Sequence, residues 1–322
     1  MRLHHNKELF AEAVIQTAQM MGLPEIYIEK DYWVTYVLKR LSLSKYRERA
    51  IFKGGTSLSK AYKLIERFSE DIDLAVVTDG ESANQIKNLI KRIERAITDE
   101  NFREIDNHLT SKGSSFRKTV HAYPATHEGD FGHAKEHIVI ELNSFARPHP
   151  YQSREIASYI YDFLSDNASE LIGEYAMEPF EVNVLDYRRT FCEKISAVAR
   201  ATFEPDEHFT ELKSKIRHLY DLYYLMQEEK IQIFLESDAF VEMMDDVRHD
   251  DIEQFQEPWS QRPLAEALIF SNTGECIHSV EQYYKSVFES LVYADDSILD
   301  IDAIVNIVRK IAERILVITD IS

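Results

Sequence analysis

The sequence predicts an α+β fold in which a small mixed-sheet core is followed by a larger, mostly helical C-terminal region. Three observations lead to this class. The 322 residues include only 9 Gly and 8 Pro, so few positions interrupt long helices. Runs of β-branched and aromatic residues, typical of strands, lie mainly before Pro148, whereas helical spacing of apolar residues dominates after it. Hydrophobic residues make up 44% of the chain, which is enough to bury a sizeable core.

The first part of the chain is predicted to begin with two helices, broken at Gly22–Pro24. A strand at about residues 50–52 leads into a pair of glycines, and Thr56 or Ser57 is predicted to cap the helix that follows. Further elements are expected from the same patterns: strands at residues 72–77, 116–123 and 137–145, and an amphipathic helix at 83–97.

Beyond Pro148 the pattern predicts helices, with a strand also compatible with residues 180–185. Two domains are expected. Residues 1–165 form an α/β module with N-terminal helices, and residues 166–322 form a helical module that ends in an acidic tail at 229–322. The predicted helices of this part lie at residues 153–165, 187–202, 211–227, 231–245, 262–270, 277–293 and 298–317.

The chain carries a formal charge of −19, which at first argues against a nucleic-acid ligand. The excess of acidic residues is unevenly distributed along the chain. Residues 229–322 contain 20 acidic and 7 basic residues, whereas residues 1–228 contain 36 and 30. The tail is therefore either a set of solvated acidic helix faces or a surface for a partner. The first 228 residues are close to balanced and remain compatible with an RNA substrate.

The sequence predicts a cytoplasmic protein without a membrane anchor. No apolar run approaches the ~18 residues that a membrane span needs, and the N-terminus has no signal-peptide core. Cys192 and Cys276 lie in different predicted helices and have no metal-binding spacing, which fits a reducing compartment.

The stretch FKGGTSLSKAYKLIERFSEDIDL, residues 52–74, has the features of an anion site. Gly54 and Gly55 follow a strand and permit a tight turn that can approach a ligand closely. The start of the next helix directs free N–H groups to the same place, and Thr56 and Ser57 add hydroxyl donors. This pattern predicts a phosphate cradle, although ordinary strand-to-helix turns also use glycine.

Asp71 and Asp73 follow at a distance that one helix can span. Residues i and i+2 of a strand point to the same side, so the two carboxylates would converge. Mg²⁺ is a natural counter-ion because it prefers carboxylate and phosphate oxygens. The pair alone would also fit a solvated strand edge, but the neighbouring glycine turn favours phosphoryl transfer.

Glu141 is the best candidate for a third carboxylate, because it interrupts the otherwise apolar strand HIVIELNSF. The alternative is a position on the polar side of an edge strand. Arg67 and Lys53 flank the glycine and aspartate motifs and could contact triphosphate oxygens. Either could equally be a surface charge.

The motifs KGGTSLSKAY and RFSEDIDL resemble the opening motif of the AbiEii/AbiGii-type toxins, a branch of the DNA polymerase β-like nucleotidyltransferase superfamily. The upstream segment IEKDYWVTYVLKRL resembles the helix before the glycine turn of this family. Downstream, RRTFCEKISAVARA and RHLYDLYYL resemble its third and fourth motifs, in the same order. The resemblance covers about residues 25–228 and implies a nucleotidyltransferase core.

The resemblance places Gly55 and Ser57 on the nucleotide-binding turn, and Asp71 and Asp73 on the metal-binding pair. It does not assign a third metal carboxylate, so Glu141 depends on the strand pattern alone.

The later motifs contribute two charged residues. Lys194 falls on the essential lysine, which is expected to hold the triphosphate, and Asp221 falls on the essential aspartate of the last motif. Because both lie among apolar residues, a buried structural ion pair would explain them equally well without the resemblance.

The resemblance implies a Mg²⁺- or Mn²⁺-dependent toxin of a toxin–antitoxin or phage-defence system, which transfers NMP from an NTP to RNA. Related toxins add nucleotides to the 3′ end of tRNA, so tRNA is the expected acceptor and an AbiEi-like antitoxin the expected partner. Two alternatives remain open: nucleotidylation of a protein hydroxyl, and a non-catalytic nucleotide-binding protein that acts by interaction.

Overall fold

The computed structural model describes residues 1–105, 108–131, 136–288, 291–292 and 299–319. The chain forms two compact units. The first contains Met1–Lys63 and Phe68–Leu185, and the second contains Leu64–Arg67 and the described residues from Asp186 onward. The division thus follows Leu185, whereas the sequence placed a boundary at residue 165. The difference arises because the strand that ends at Leu185 is part of the sheet of the first unit.

The first unit is built on one mixed sheet. Its strands are β1 (Ala50–Lys53), β2 (Ile72–Val76), β3 (Arg103–Ile105), β4 (Ser111–Lys112), β5 (Phe116–Ala122), β6 (Ile138–Asn143), β7 (Tyr151–Ile156) and β8 (Phe180–Leu185). Within the described residues, the strand order is β3-β5-β6-β2-β1-β8-β7, and β4 also pairs with β5. β2 runs parallel to β6 and antiparallel to β1, so the two strands predicted to carry acidic residues are neighbours.

Several helices belong to the first unit in addition to the sheet. They are α1 (Lys7–Met21), α2 (Glu25–Leu43), α3 (Gly54–Ser57), α4 (Ala83–Ile97), α5 (Tyr159–Asn167) and α6 (Glu170–Glu174). α1 ends at Gly22, which adopts the left-handed conformation with φ 67°. α2 is buried along most of its length and anchors the core through Trp33, which is fully buried. The two predicted N-terminal helices are confirmed.

One predicted helix is wrong in its first half. Residues 153–165 were expected to be helical, but Tyr151–Ile156 form β7, which pairs antiparallel with β8 along its whole length. The helix begins only after Ser158, whose side chain accepts a hydrogen bond from the backbone N–H of Tyr161. Pairing with a neighbouring strand has therefore overridden the local helical pattern.

Among the described residues, the regular secondary-structure elements of the second unit are all helices. Its helices are α7 (Tyr187–Arg200), α8 (Thr210–Ser214), α9 (Ile216–Leu225), α10 (Glu229–Leu235), α11 (Asp238–Phe255), α12 (Leu268–Ser271), α13 (Thr273–His278), α14 (Glu281–Phe288) and α15 (Ile301–Thr319). α7 packs against α9 and α11, and α15 packs against α9. The long helix predicted at 211–227 is divided at Lys215, and the one predicted at 231–245 is divided at Ser237, which has an extended backbone.

Together, the mixed sheet and the helical second unit confirm the predicted α+β class. Among the described residues, no helix combines the length and the apolar character that a bilayer crossing requires. Cys192 and Cys276 are both buried and free, as expected for residues that pack as small apolar groups.

Candidate active site

Four adjacent strands of the first unit place a row of charged residues side by side. Lys118 of β5 lies directly opposite Glu141 of β6, which is in register with Asp73 of β2. On the other side of β2, Asp73 is directly opposite Lys53 of β1. Directly opposed residues of neighbouring strands have side chains on the same face of the sheet. The row therefore contains two neighbouring carboxylates with a lysine at each end.

Asp71 adds a third carboxylate to this face. It precedes β2 by one residue and lies two residues before Asp73, which is the spacing that directs both side chains to the same side. Both aspartates are half-buried, and the residues that alternate with them, Ile72 and Leu74, are fully buried in the core. The apolar positions of β2 thus place Asp73 on the opposite face of the strand from the core, and Asp71 immediately precedes the strand.

The glycine turn lies directly against this face. Gly54 has a φ of 78°, and a Cβ atom added to it would lie 3.1 Å from Cγ and 3.3 Å from Cβ of Asp73, with Oδ2 closer still. A side chain at this position would therefore overlap the carboxylate. The sequence requires glycine here for both the backbone conformation and the close approach to Asp73.

The hydroxyls of the turn already have hydrogen-bond partners within the first unit. Ser57 Oγ donates a hydrogen bond to the backbone carbonyl of Gly54 at 2.8 Å, and Thr56 Oγ1 lies 2.9 Å from Ser69 Oγ. Both side chains are buried. The predicted N-cap is wrong: α3 begins at Gly54, so Thr56 and Ser57 lie inside it, and a π-helical turn, Leu58–Tyr62, follows. An N-cap residue has a non-helical, extended backbone. Because β1 continues to Lys53 and α3 begins at Gly54, the extended residue at the start of this helix is Lys53 and not Thr56 or Ser57.

Lys118 lies among the three carboxylates. Its Nζ is 3.3 Å from Oε2 of Glu141, and Asp71 and Asp73 are close enough to act on it electrostatically. Desolvation alone would lower the pKa of Lys118, but the attraction of Glu141, Asp71 and Asp73 outweighs it and raises the pKa above its ordinary value. Lys118 is therefore positively charged. We call this side of the sheet, which carries Asp71, Asp73 and Glu141, the acidic face.

The donor set of this face suits a hard divalent cation, since Asp71, Asp73 and Glu141 present only carboxylate oxygens. Lys118 occupies a position where positive charge is stabilised, which is what a metal ion would require. Among the described residues, however, no group of three or more His, Cys, Asp or Glu side chains is gathered closely enough to chelate one ion. Glu141 is engaged with Lys118 instead of converging fully on the two aspartates.

Two buried acids of α2 hold the surroundings of the turn in place. Asp31 forms a buried ion pair with Lys60 of the π-helical turn and accepts a hydrogen bond from the backbone N–H of Tyr159 at 2.8 Å. Glu29 accepts hydrogen bonds from the backbone N–H groups of Thr126 and His127, at 2.8 and 2.9 Å. Glu29 and Asp31 are therefore structural ties between α2 and other segments of the first unit.

The second unit contains a separate buried cluster centred on Asp221. Arg67 contacts both oxygens of this carboxylate, Nε to Oδ1 and Nη2 to Oδ2, each at 2.8 Å. Nζ of Lys194 lies 2.7 Å from the same Oδ2. Arg67, Lys194 and Asp221 are 2%, 5% and 0% exposed. Lys194 and Asp221, predicted from separate motifs, are therefore in direct contact, and Arg67 completes the cluster.

Apolar residues of α7 and α9 bury this cluster. Phe191 and Ile195 flank Lys194 on α7, and Leu219 and Leu222 flank Asp221 on α9; all four are essentially inaccessible to solvent. Helical spacing brings the polar residue of each helix to the face where the two helices pack. A buried charge in such surroundings requires a partner, and each helix supplies one for the other.

The electrostatics of the cluster are dominated by cations. Burial would raise the pKa of Asp221, but Arg67 and Lys194 outweigh it and hold that pKa below its usual value. Near it, the pKa of His218 is well below normal because of burial and the cations around it, with Lys194 first among them. Nδ1 of His218 is buried and makes no hydrogen bond among the described residues. The cluster therefore holds one more positive than negative charge.

Sequence reasoning did not assign Lys118 to the acidic face. Side chains alternate between the two faces of the sheet along β5, and this alternation is a signal for the position of Lys118. Because Arg117 pairs with Glu94 of α4, Lys118 points to the opposite face. That signal is useful only once the pairing partner of β5 is known.

A model of the nucleotidyl transferase AbiEii toxin family, of type IV toxin–antitoxin systems, matches residues 36–306. Among solved structures, MenT4, a nucleotidyltransferase toxin from Mycobacterium tuberculosis H37Rv, aligns with a TM-score of 0.52 and 16% identity, over 95% of this chain and 98% of that chain. JHP933 from Helicobacter pylori aligns with a TM-score of 0.47 and 15% identity, over 91% and 93%. No curated protein sequence matches significantly. The likeness to MenT4 supports the fold.

Proposed function

Since the chain belongs to the AbiEii family of nucleotidyl transferase toxins, we propose that it transfers a nucleoside monophosphate from an NTP to a hydroxyl of RNA, with the 3′ end of tRNA as the acceptor. The observation that carries the catalytic part is the contact between the glycine turn and the acidic strand. Gly54 approaches Asp73 so closely that no side chain fits between them. A phosphate-binding turn beside paired carboxylates is the arrangement that phosphoryl transfer requires.

In the proposed reaction, the acceptor hydroxyl attacks the α-phosphorus of the NTP. A new phosphorus–oxygen bond forms to the acceptor, the bond to the β-phosphate breaks, and pyrophosphate leaves. The hydroxyl proton passes to a carboxylate of the acidic face, for which Asp73 and Glu141 are the candidates. Asp71 and Asp73, with Glu141, would hold Mg²⁺ or Mn²⁺. Such an ion, when bound, offsets the negative charge that the phosphates carry.

The glycine turn, residues 54–57, is proposed to contact the phosphates through its backbone. Gly54 and Gly55 allow the chain to approach an oxyanion, and the buried hydroxyls of Thr56 and Ser57 hold the turn in shape. This role differs from the direct hydroxyl contacts that the sequence suggested, because both hydroxyls already have partners within the first unit.

The cluster in the second unit is proposed to bind phosphate through Lys194. Asp221 accepts from both Arg67 and Lys194, so it acts as a positioning residue that fixes the two cations. The excess of one positive charge suits an anionic ligand. Arg67, which the sequence suggested as a triphosphate contact, is buried against Asp221, and its proposed role is to hold that carboxylate in place.

The RNA acceptor rests on family resemblance and on charge distribution. Most of the acidic excess lies in residues 229–322, whereas residues 1–228 are close to charge balance. The type IV designation of the family supports an antitoxin encoded with the toxin, and we propose an AbiEi-like protein in that role. A function in phage defence is part of the same proposal.

The proposal is tested by incubating the purified protein with each α-labelled NTP, Mg²⁺ or Mn²⁺, and total RNA. Label is expected in tRNA-sized RNA, and Asp73→Asn is expected to abolish it. Asp79→Asn, an exposed acid six residues along the chain, is the matched control and should retain full transfer. Label in protein would support the protein-acceptor alternative. No label with any nucleotide, together with unchanged toxicity of Asp73→Asn, would leave only the non-catalytic alternative.

A further inference from the structure

We propose that Lys118 is a tethered counter-ion of the acidic face, which competes with a divalent cation and thereby lowers the affinity of the site for metal. The inference rests on the proposed function, because it concerns the carboxylates assigned there to Mg²⁺ or Mn²⁺. It goes beyond that function by assigning a residue that neither the motifs nor the family match selects, and by giving it a measurable effect on metal binding.

The position of Lys118 follows from the strand register. β5 and β6 are antiparallel, and Lys118 is paired directly with Glu141, with Thr119 opposite Ile140 as the next pair. Val120 and Thr119 are buried, and Arg117 is committed to Glu94 on the other face of the sheet. Lys118 is therefore held on the acidic face by its strand and cannot exchange faces without a shift in register.

The charge on this face requires compensation. Asp73 and Glu141 are paired on two neighbouring strands and Asp71 immediately precedes one of them, and like charges so close destabilise one another. Lys118 reduces this repulsion through its contact with Glu141 at 3.3 Å and through its attraction to the two aspartates. Its side chain is 26% exposed and that of Glu141 is 27% exposed, so solvent screens the pair only partly.

A divalent cation on the same carboxylates would meet two obstacles. It would be repelled by the Lys118 ammonium, and Glu141 would have to exchange its lysine partner for the metal. Both effects oppose binding, and both disappear when the ammonium is removed. The affinity of the carboxylates for metal alone should therefore rise when Lys118 loses its charge, by about tenfold for a unit charge a few ångströms away in a half-exposed site.

The test measures Mn²⁺ binding to the nucleotide-free protein, with the free ion quantified by its electron paramagnetic resonance signal. Lys118→Met is expected to bind Mn²⁺ about tenfold more tightly than the unaltered protein. Lys118→Gln, which keeps a hydrogen-bonding group for Glu141, should show the same direction. Lys118→Arg, which keeps the charge, should resemble the unaltered protein. Lys112→Met is the control, because Lys112 of β4 forms an ion pair of the same kind with Glu104 of β3, at 2.6 Å.

Equal Mn²⁺ affinity in the unaltered protein, Lys118→Met and Lys118→Gln would overturn the inference but leave the proposed function intact, provided that Asp73→Asn loses the bound ion. Weaker binding in Lys118→Met would also overturn it, since Lys118 would then support the metal site. Absence of Mn²⁺ binding in every variant would overturn the metal assignment itself, and the inference with it. Circular dichroism and thermal unfolding of each variant confirm that the comparison is made between folded proteins.

Discussion

Arg67 and Asp221 form a bidentate ion pair in the second unit, with both nitrogen–oxygen distances at 2.8 Å and both side chains almost completely buried. Lys194 shares one oxygen of the same carboxylate. The three charges do not cancel, because two cations share one anion. A buried carboxylate with both oxygens engaged in this way is a structural centre of the cluster, whereas Lys194 retains donor capacity for a ligand.

This arrangement predicts that Asp221→Asn and Lys194→Met differ sharply in stability. Asp221→Asn leaves two buried cations without an anion, and the free energy of unfolding should fall by about 3–5 kcal/mol. Lys194→Met leaves Arg67 and Asp221 as a neutral pair, so its unfolding free energy should change by about 1 kcal/mol or less. Both variants should lose nucleotide transfer. Urea unfolding and the labelling assay measure the two effects separately.

Asp250→Asn provides the matched control for Asp221→Asn. Asp250 pairs with Arg189 in another buried contact of the second unit. Its substitution should also destabilise the protein, while transfer persists at temperatures where the variant is folded. Equal stability of Asp221→Asn and the unaltered protein would show that Arg67 and Lys194 do not depend on this carboxylate.

Local patterns were sufficient to predict the acidic strand and the glycine turn. The spacing of Asp71 and Asp73 and the apolar residues between and after them are properties of a few consecutive positions. Apolar periodicity likewise predicted α2, α4 and α7, whose buried faces are long enough to determine their structure. These features depend on contacts within one element, so one sequence contains the necessary information.

Other features depend on partners that are distant in sequence. Arg67 and Asp221 are separated by 154 positions, and nothing in either motif indicates that they meet. Lys118 acquires its role only through the pairing of β5 with β6. The short edge strands β3 and β4 were missed because they contain three and two residues, too few for a periodic signal. Tertiary pairing, rather than local propensity, decides all of these positions.

The contact between Gly54 and Asp73 predicts that Gly54→Ala disrupts catalysis more than stability. The added methyl group would overlap the Asp73 carboxylate and displace it, and a displacement of about 1 Å at a catalytic group can cost about 100-fold in rate. The positive φ adds a conformational cost of about 1 kcal/mol. The labelling assay and thermal unfolding measure these two contributions.

Gly80→Ala is a close control for Gly54→Ala, since Gly80 has a φ of 74° but nothing within 4 Å of an added Cβ. It should carry the same conformational cost and retain transfer. If the two variants lost transfer to the same extent, the loss would have to come from backbone strain and not from the overlap with Asp73.

The surroundings of His4 predict that the stability of the protein decreases at acidic pH for a reason that does not involve the catalytic groups. Nδ1 of His4 lies 2.7 Å from the hydroxyl of Tyr32, and its ring packs against Trp33 and Tyr36. Burial, followed by repulsion from His5, lowers the pKa of His4 from 6.5 to about 4, although Asp99 acts in the opposite direction. Between these two pH values, the unfolded chain therefore binds a proton that the folded protein excludes.

The free energy of unfolding should therefore decrease as the pH falls from about 6.5 to about 4, and the contribution of His4 should be complete above that range. His4→Gln removes the titrating group and should flatten this part of the profile, measured by urea unfolding at several pH values. The profile will not become fully flat, because His218 has a lowered pKa and contributes with the same sign. His249→Gln, which removes an exposed histidine of α11, is the control. A His4→Gln profile that is parallel to that of the unaltered protein throughout this range would contradict the assignment.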